Sequence, residues 1–457
     1  MQATHHHTHK LRFSKAGQRA AVAVRPAQRS GQSGRLAGAA ARWQQAQALS
    51  NRNLAALGAT DPERDRVSEN QQDNVRGPGS DRPVRNALIV GGGLAGLSTA
   101  IALGKQGIHA TVVDKRSAAV GASIVITHRA VYALEELGVL EQALLQGDHI
   151  PAAAPSWWTH AYDGAGRKLA VPAPELPKHG LPSTVFIYRP LLADILTKAA
   201  RHAGATVLCG NSFTALSADP DGVNATLTSG QRARFDLLVG ADGINSDVRS
   251  KFFAEIPGPH YTGQMSFRVM FAQAPPDWFK GLHMVQGTTI STNVLPGGLV
   301  YLALSKRMPA RHLSQTEAKA IVSDTLAGFK TAMFAQMRER LDDAAAVIVA
   351  PFQWIWVPQP WHRGRVVLAG DAAHATTPTL ASSGSMALED GVVLAQELCR
   401  AATVSAGLAA YNSRRLARVK HVVDASVEIM RMHAERRPTA EEAALRASAI
   451  RLLAEPY

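Results

Sequence analysis

The stretch Asn86-Ala87-Leu88-Ile89-Val90-Gly91-Gly92-Gly93-Leu94-Ala95-Gly96 decides the fold. Ala87 to Val90 is a short apolar run bounded by glycines, the pattern of a buried parallel strand. Gly91, Gly93 and Gly96 then satisfy the Gly-X-Gly-X-X-Gly rule, and Leu97, Ile101 and Leu103 continue at helical spacing to a stop at Gly107. Ala110-Thr111-Val112-Val113-Asp114 reads as a second strand ending in an acid. This is the start of a βαβ unit. Its glycines allow a tight turn and close backbone approach, so a pyrophosphate can sit on the helix N-terminus beside Leu94 and Ala95. Asp114, 23 residues after Gly91, is placed to accept hydrogen bonds from an adenosine ribose, with Lys115 next to it. The loop implies a dinucleotide without separating NAD from FAD.

Working outward, Pro190 to His202 carries Leu191, Leu192, Ile195, Leu196 and Ala199 on one helical face and stops at Gly204. Strand-like runs at Thr206–Leu208 and Asn224–Thr228 flank a turn at Asp219-Pro220-Asp221-Gly222. Phe235–Val239 reads as another buried strand. From His260 to Leu304 the pattern is mostly extended, with Phe267, Val269 and Phe271 alternating, which predicts a separate antiparallel sheet. Val366-Val367-Leu368 returns to the first domain, and residues 385–435 read as long helices.

Two further motifs stand at a distance from the glycine loop. Ala241-Asp242-Gly243 is followed by Ser246 and Arg249, and Gly370-Asp371-Ala372-Ala373-His374 comes later. Together with the loop they resemble, in order, the three fingerprints of the flavoprotein aromatic hydroxylases, the para-hydroxybenzoate hydroxylase family. The resemblance covers essentially all of residues 86–430. It implies FAD, with the Asp371 carboxylate binding ribityl hydroxyls. Tyr188-Arg189-Pro190-Leu191-Leu192 is similar to a fourth landmark, in which the arginine reaches the FAD phosphates. The family usually carries Gly-X-Gly-X-Asn after the proline corresponding to Pro378, whereas this chain has Ala381, Ser383 and Ser385 around Gly384. A helix beginning there would aim its N-terminus at the flavin and stabilise negative charge on the reduced ring. Serines are also good helix caps, a purely structural reading of the same residues.

The chemistry implied by the resemblance belongs to the cofactor. NADH or NADPH reduces FAD, O2 adds at flavin C4a, and the distal oxygen of the hydroperoxide passes to a small aromatic or heteroaromatic ring. Arg268, in the extended second domain, is the candidate for binding a substrate anion, with Pro378 as a second substrate residue. His374 is a candidate for proton transfer, against a reading as loop packing. Trp354 and Trp356, with Trp157 and Trp158, read as packing or as an aromatic pocket. The order Trp354-Ile355-Trp356-Val357-Pro358 is one residue short of a flavin-dependent halogenase signature and reads as coincidence. No metal-ligand spacing is evident.

Composition sets the frame. The 457 residues are 46% hydrophobic and 19% charged, which fits a globular chain with two or more domains. No apolar stretch approaches the roughly 20 residues that span a bilayer. The net charge of +13 sits mainly in the first 85 residues, where 14 Lys/Arg face 6 Asp/Glu; the remainder has 35 against 30. A nucleic-acid-binding face on the body is therefore not expected. Residues 1–85, with His5, His6, His7 and His9 and a stretch compatible with a short helix from Ala39 to Leu57, read as a disordered basic extension. A transit peptide or a basic arm is the alternative. Cys209 and Cys399 have no redox or metal spacing, so they read as buried small hydrophobes in a reducing compartment. The cytoplasm is expected, or the mitochondrion if the extension is a transit peptide, and a homodimer is an open option.

The expected fold is thus α/β: an FAD-binding Rossmann-like domain of the glutathione-reductase type, a second antiparallel-sheet substrate domain, and C-terminal helices. Residues 86–155, 183–255 and 360–400 are assigned to the first, 156–182 and 256–359 to the second, and 401–457 to the helices. Rival functions on the same fold are a flavin reductase or dehydrogenase of the geranylgeranyl reductase kind and a two-component oxygenase or halogenase. A non-catalytic FAD-bound protein that docks a partner is the rival from another class.

Overall fold

The computed structural model describes residues 84–152, 160–171, 180–274, 277–285, 288–344, 346–358, 360–435, 437 and 439–457. The basic extension, its histidines, the Ala39–Leu57 stretch, Trp157 and Trp158 lie outside the described residues.

The apolar run before the glycine loop is strand β1 (Asn86–Val90), with Ala87, Leu88 and Ile89 fully buried. On one side it pairs in parallel with β2 (His109–Asp114), on the other with β11 (Leu237–Gly240). The sheet is completed by β7 (Thr206–Cys209) beyond β2, and by β18 (Val366–Leu368) and the antiparallel β17 (His362–Arg363) beyond β11. Helix α1 (Leu94–Lys105) links β1 to β2 and packs on α9 (Ser383–Arg400) and α4 (Arg189–His202). Such near-continuous apolar strands need cover, and α1 supplies part of it by packing on β1 and β2.

The run expected as one strand, Phe235–Val239, is in fact two. Phe235 closes β10 (Arg232–Phe235), which lies with β9 (Gly222–Leu227) and β8 (Phe213–Asp219) in a small antiparallel sheet. Asp236 marks the break: its carboxylate accepts from the backbone N–H groups of Arg85 and Asn86, so it pins the end of β1 instead of continuing a strand. Another three-stranded sheet joins β3 (Ser123–Thr127), β6 (Thr184–Tyr188) and β4 (Asp148–Ile150).

The second large sheet runs in the order β16 (Val347–Trp354), β12 (His260–Phe271), β15 (Leu299–Arg307), β14 (Thr288–Leu295), β13 (Gly281–Val285) and β5 (Ala161–Asp163). It is antiparallel except at β13 and β5. Its two faces differ sharply. Met265, Phe267, Val269 and Phe271 of β12, with Val300, Leu302 and Leu304 of β15, bury against α6 (Gln315–Ala327) and α7 (Ala332–Glu339). Those two helices had no counterpart in the sequence reading. The alternate residues, among them Ser266, Arg268, Ser291, Asn293 and Tyr301, face a large cavity.

The chain continues from α9 through α10 (Val404–Glu435) and α11 (Thr439–Ala454). The short helices α2 (Ala130–Glu136), α3 (Leu140–Gln146), α5 (Asp247–Phe252) and α8 (Asp371–His374) complete the elements. Among the described residues no helix is long and apolar enough to cross a membrane. Cys209 and Cys399, expected buried, are both exposed, and neither is in a disulfide among the described residues. Cys209 ends β7 at the sheet edge, and Cys399 lies in the last turn of α9.

Candidate active site

A cavity of about 1400 Å³ runs from the tip of the parallel sheet to the polar face of the second sheet. Single-ligand pockets typically occupy about 300–1,000 Å³, so this one has room for a dinucleotide and a second small molecule. It opens at the C-terminal ends of β1, β2 and β11, where open α/β sheets bind ligands.

The glycine loop forms one end. Gly91 adopts φ +109, and a side chain there would collide with the backbone of Ala241. A side chain at Gly96 would collide with the carbonyl of Gly91, so this glycine holds the start of α1 against the loop. Gly93 is different: a Cβ there would meet nothing, and the residue lines the cavity with Leu94 and Ala95. The structure thus gives two glycines a packing role and leaves the third open to a ligand.

Asp114 also lines the cavity. Its carboxylate accepts from Gly92 N at 2.8 Å and from the backbone N and guanidinium of Arg116. Burial would raise its pKa, but the hydrogen bonds and charge of Arg116 outweigh that and hold it below the usual carboxylate value. Asp114 is therefore an ionised acceptor. Lys115 lines the cavity and lies 3.8 Å from Asp247.

Arg189 opens α4 and extends into the cavity. Gly121 makes room for it, since a Cβ there would come within 2.8 Å of the Arg189 Cδ. Burial lowers its pKa; Asp371 opposes the shift, and the nearby Arg116 and Arg268 add to it. Neither Arg189 nor Arg268 forms an ion pair among the described residues. A desolvated guanidinium facing like charges invites an anion.

The second and third motifs are clasped together. Asp242 accepts from Ser246 Oγ at 2.5 Å and from the N–H groups of Asp247 and Val248, so its carboxylate is committed to starting α5. Burial raises its pKa against these bonds. Arg249 donates to the carbonyls of Ala372 and Ile244, tying the start of α8 to the loop after Asp242. Asp242 borders the cavity, but its side chain is engaged in building the loop.

Asp371 lines the cavity and accepts from Ser383 Oγ. Gly370, at φ +60, lies behind it and donates to Asp390 at 2.8 Å. His374 does not reach the cavity. It is fully buried, with Nε2 2.6 Å from Asp390 and its ring 5.0 Å from that of Trp361. Proton transfer to a bound substrate by His374 is accordingly ruled out by position, and packing of the loop is what it does. Asp390 and Glu389 are in turn bound by Arg415, and Glu389 also by Arg418. Burial would raise Asp390, but His374 and Arg415 hold its pKa down to about 2. The arginines that neutralise Glu389 and Asp390 lie on another helix and carry no local sequence signal.

The serines at the start of α9 do not act as caps. Ser382 occupies the cap position without a side-chain capping bond, and its buried Oγ has no partner. Ser383 binds Asp371, and Ser385 Oγ accepts from Thr127 N at 3.0 Å, away from the cavity. Ser383, Gly384 and Pro378 line the cavity. Ala381, between Pro378 and Ser383, is held in the left-handed region at φ +50. Trp354 stacks on His260 and Trp356 packs on Trp361, so these two tryptophans serve packing.

These features fit FAD: an open glycine edge, an ionised carboxylate at the end of β2, an arginine with no ion pair among the described residues, and a second carboxylate at a helix start. Residues 85–426 match the FAD binding domain family. The chain is 31% identical to YetM of Bacillus subtilis over 365 residues, covering 79% of this chain and 96% of that protein. It is 32% identical to 3-hydroxybenzoate 6-hydroxylase 1 of Aquipseudomonas alcaligenes, covering 74% and 86%. Among solved structures, Klebsiella pneumoniae HpxO complexed with FAD and uric acid superposes with a TM-score of 0.66 at 22% identity, covering 81% and 97%. A tetrameric form of 2-methyl-3-hydroxypyridine-5-carboxylic acid oxygenase gives 0.63 at 25%, covering 82% and 98%. The chain belongs to the FAD-binding family of flavoprotein monooxygenases that includes the aromatic hydroxylases.

Proposed function

We propose that the protein is a single-component FAD monooxygenase that hydroxylates a small aromatic or heteroaromatic compound, with NADH or NADPH as electron donor and O2 as oxidant. The observation that carries this reading is one continuous cavity joining the dinucleotide loop to the polar face of the second sheet. The sequence contains one dinucleotide fingerprint, so the nicotinamide would visit the FAD site instead of occupying a domain of its own. We infer the same division of labour along the chain: residues 86–155, 183–255 and 360–400 hold FAD, 156–182 and 256–359 hold substrate, and 401–457 brace both.

FAD would supply hydride acceptance and oxygen activation. The chain's residues do the rest. Gly93 and the N-terminus of α1 receive the pyrophosphate, Arg189 neutralises it, and Asp114 accepts from the adenosine ribose. Asp371, oriented by Ser383, accepts from the ribityl chain. The 18-residue helix α9 directs its N-terminal N–H groups toward the flavin end of the cavity and favours negative charge there. Arg268 holds the substrate against the second sheet. Leu282 and Met284 lend that wall apolar surface, which limits water near the reacting ring.

From only two cysteines, set far apart and without redox or metal spacing, we infer a reducing compartment, the cytoplasm. Isotope-labelled O2, NADPH or NADH, and a panel of aromatic acids, phenols and heterocycles test the function. One labelled oxygen atom in the product, formed without an added reductase, is expected. Nicotinamide oxidation with no labelled product from any ring would indicate a reductase. Labelled product only with an added flavin reductase would indicate a two-component enzyme.

A further inference from the structure

Residues 376–382 border the cavity between Asp371 and α9, and the chain on either side of them is fixed by backbone bonds. Upstream, Ile355 N and Val357 N donate to the carbonyls of Ala375 and Ala373; downstream, Met386 N donates to Ser382 O as α9 opens. Between them lies a single 3-10 turn, Pro378–Leu380, followed by Ala381 at φ +50 and ψ +31. The left-handed region disfavours a residue with a Cβ by roughly tenfold in population. Such backbone persists only where its surroundings over-determine it.

Here the surroundings act from behind. Ser426 of α10 is fully buried. Its Oγ lies 2.6 Å from Thr377 Oγ1 and 2.7 Å from Thr379 Oγ1, and donates to the Thr377 carbonyl at 2.8 Å. Both threonine hydroxyls also reach the Ser426 carbonyl, at 2.9 and 2.8 Å. Arg446 of α11 donates to the Thr379 carbonyl at 2.7 Å. The front of the turn is the reverse case. Thr376 Oγ1 and Ser382 Oγ, one at each end, are buried without a hydrogen-bond partner, and both residues line the cavity. Hydroxyls satisfied behind and orphaned in front mark a segment that the C-terminal helices hold toward a ligand.

We propose that Ser426 is a positioning residue for the bound flavin. Through Thr377 and Thr379, with Arg446 as a second brace, it holds residues 376–382 in the left-handed form that presents the start of α9 to the cofactor. The inference needs FAD in the cavity and does not depend on whether a ring is hydroxylated. Released from α10, the turn would relax at Ala381 toward ordinary backbone. The start of α9 would then shift from its place beside Asp371, where Ser383 now reaches the carboxylate. Reduced flavin would suffer more than oxidised flavin, because the helix N-terminus that favours its negative charge would be displaced.

The test is the flavin reduction potential of the FAD-loaded full chain. Ser426→Ala should lower it by about 30 mV, which for a two-electron couple is a tenfold weaker hold on reduced relative to oxidised flavin. Ala381→Gly removes the strain that the brace opposes. In that background the same change at Ser426 should move the potential less than about half as far. Ser426→Cys, of similar size with a weak donor, should fall between Ser426→Ala and the unaltered chain. A merely structural hydroxyl would, when lost, lower the melting temperature and leave the potential in place. That result, or equal shifts in the two backgrounds, overturns the proposal. FAD content and circular dichroism establish that each variant is folded; if Ser426→Ala is not, Arg446→Met is read in the same way in both backgrounds. Labelled-oxygen incorporation is measured separately. Its failure with the potential shift and the coupling intact removes the hydroxylase reading and leaves the positioning role standing.

Discussion

Two sets of arginines lie inside this protein, and they are treated in opposite ways. Arg415 and Arg418 are buried, and Glu389 and Asp390 meet them with several hydrogen bonds. Further donations from both reach the carbonyls of Met386 and Leu453. Arg189 and Arg268 border the cavity, form no ion pair among the described residues, and are close enough for their charges to interact. The first set is satisfied by the fold itself. The second costs the fold free energy that a bound anion would return. The contrast separates structural charge from binding charge more clearly than residue type or burial does.

The comparison can be broken most forcefully at its paired side. Arg415→Leu leaves Glu389 and Asp390 buried with too few partners and should destabilise the protein by about 3–5 kcal/mol, lowering the melting temperature by on the order of 10 °C. Calorimetry of the FAD-loaded chain checks it; an unchanged melt would mean that the network carries little. At the unpaired side, Arg189→Ala should leave the melting temperature of the FAD-free protein unchanged or higher. FAD affinity should fall by about 10- to 100-fold, the worth of hydrogen bonds to a charged group. Fluorescence titration with FAD reads that directly.

Acid sharpens the distinction. Asp390 has a folded pKa of about 2 against an ordinary value of 3.8, so it stabilises the fold above pH 4. That contribution, about 2 kcal/mol, is lost as pH falls through the folded value. Urea midpoints measured between pH 5 and 2.5 should decline, and Asp390→Asn, less stable throughout, should decline less steeply. The smallest effect concerns the cavity cations. Inorganic pyrophosphate at about ten times its Kd should stabilise the FAD-free protein by about 1.4 kcal/mol. Arg189→Ala should lose most of that gain, with thermal shift as the readout.

What the sequence made legible is what short-range chemistry dictates. The glycine loop, Asp114, Arg189 and Asp371 each lie in a local pattern whose geometry the chain can satisfy only one way, and all four meet at the cavity. The alternation of Phe267, Val269 and Phe271 identified the buried face of the second sheet. That Asn293 and Ser266 lie buried with unpartnered polar atoms was illegible, because it depends on register against β15 and on which neighbours fail to pair with them. Arg415 lies 25 residues from Asp390, on a helix whose facing is set only by packing. The exposed cysteines show the weakness of arguing from residue type, since Cys209 ends an edge strand where no cover is supplied.

The order of the parallel sheet has a consequence for how the protein is made. The central strand β1 is completed by β11, and β11 in turn by β18, which follows after the whole second sheet has been synthesised. Pairings this remote in sequence are slow to find and leave apolar strand edges open meanwhile. On the ribosome the first half of the cofactor loop would emerge long before Gly370 and Asp371 exist to close it. Cofactor capture is therefore a late event in biogenesis, since only a chain made through Asp371 can present both Asp114 and Asp371 of the cavity to one ligand.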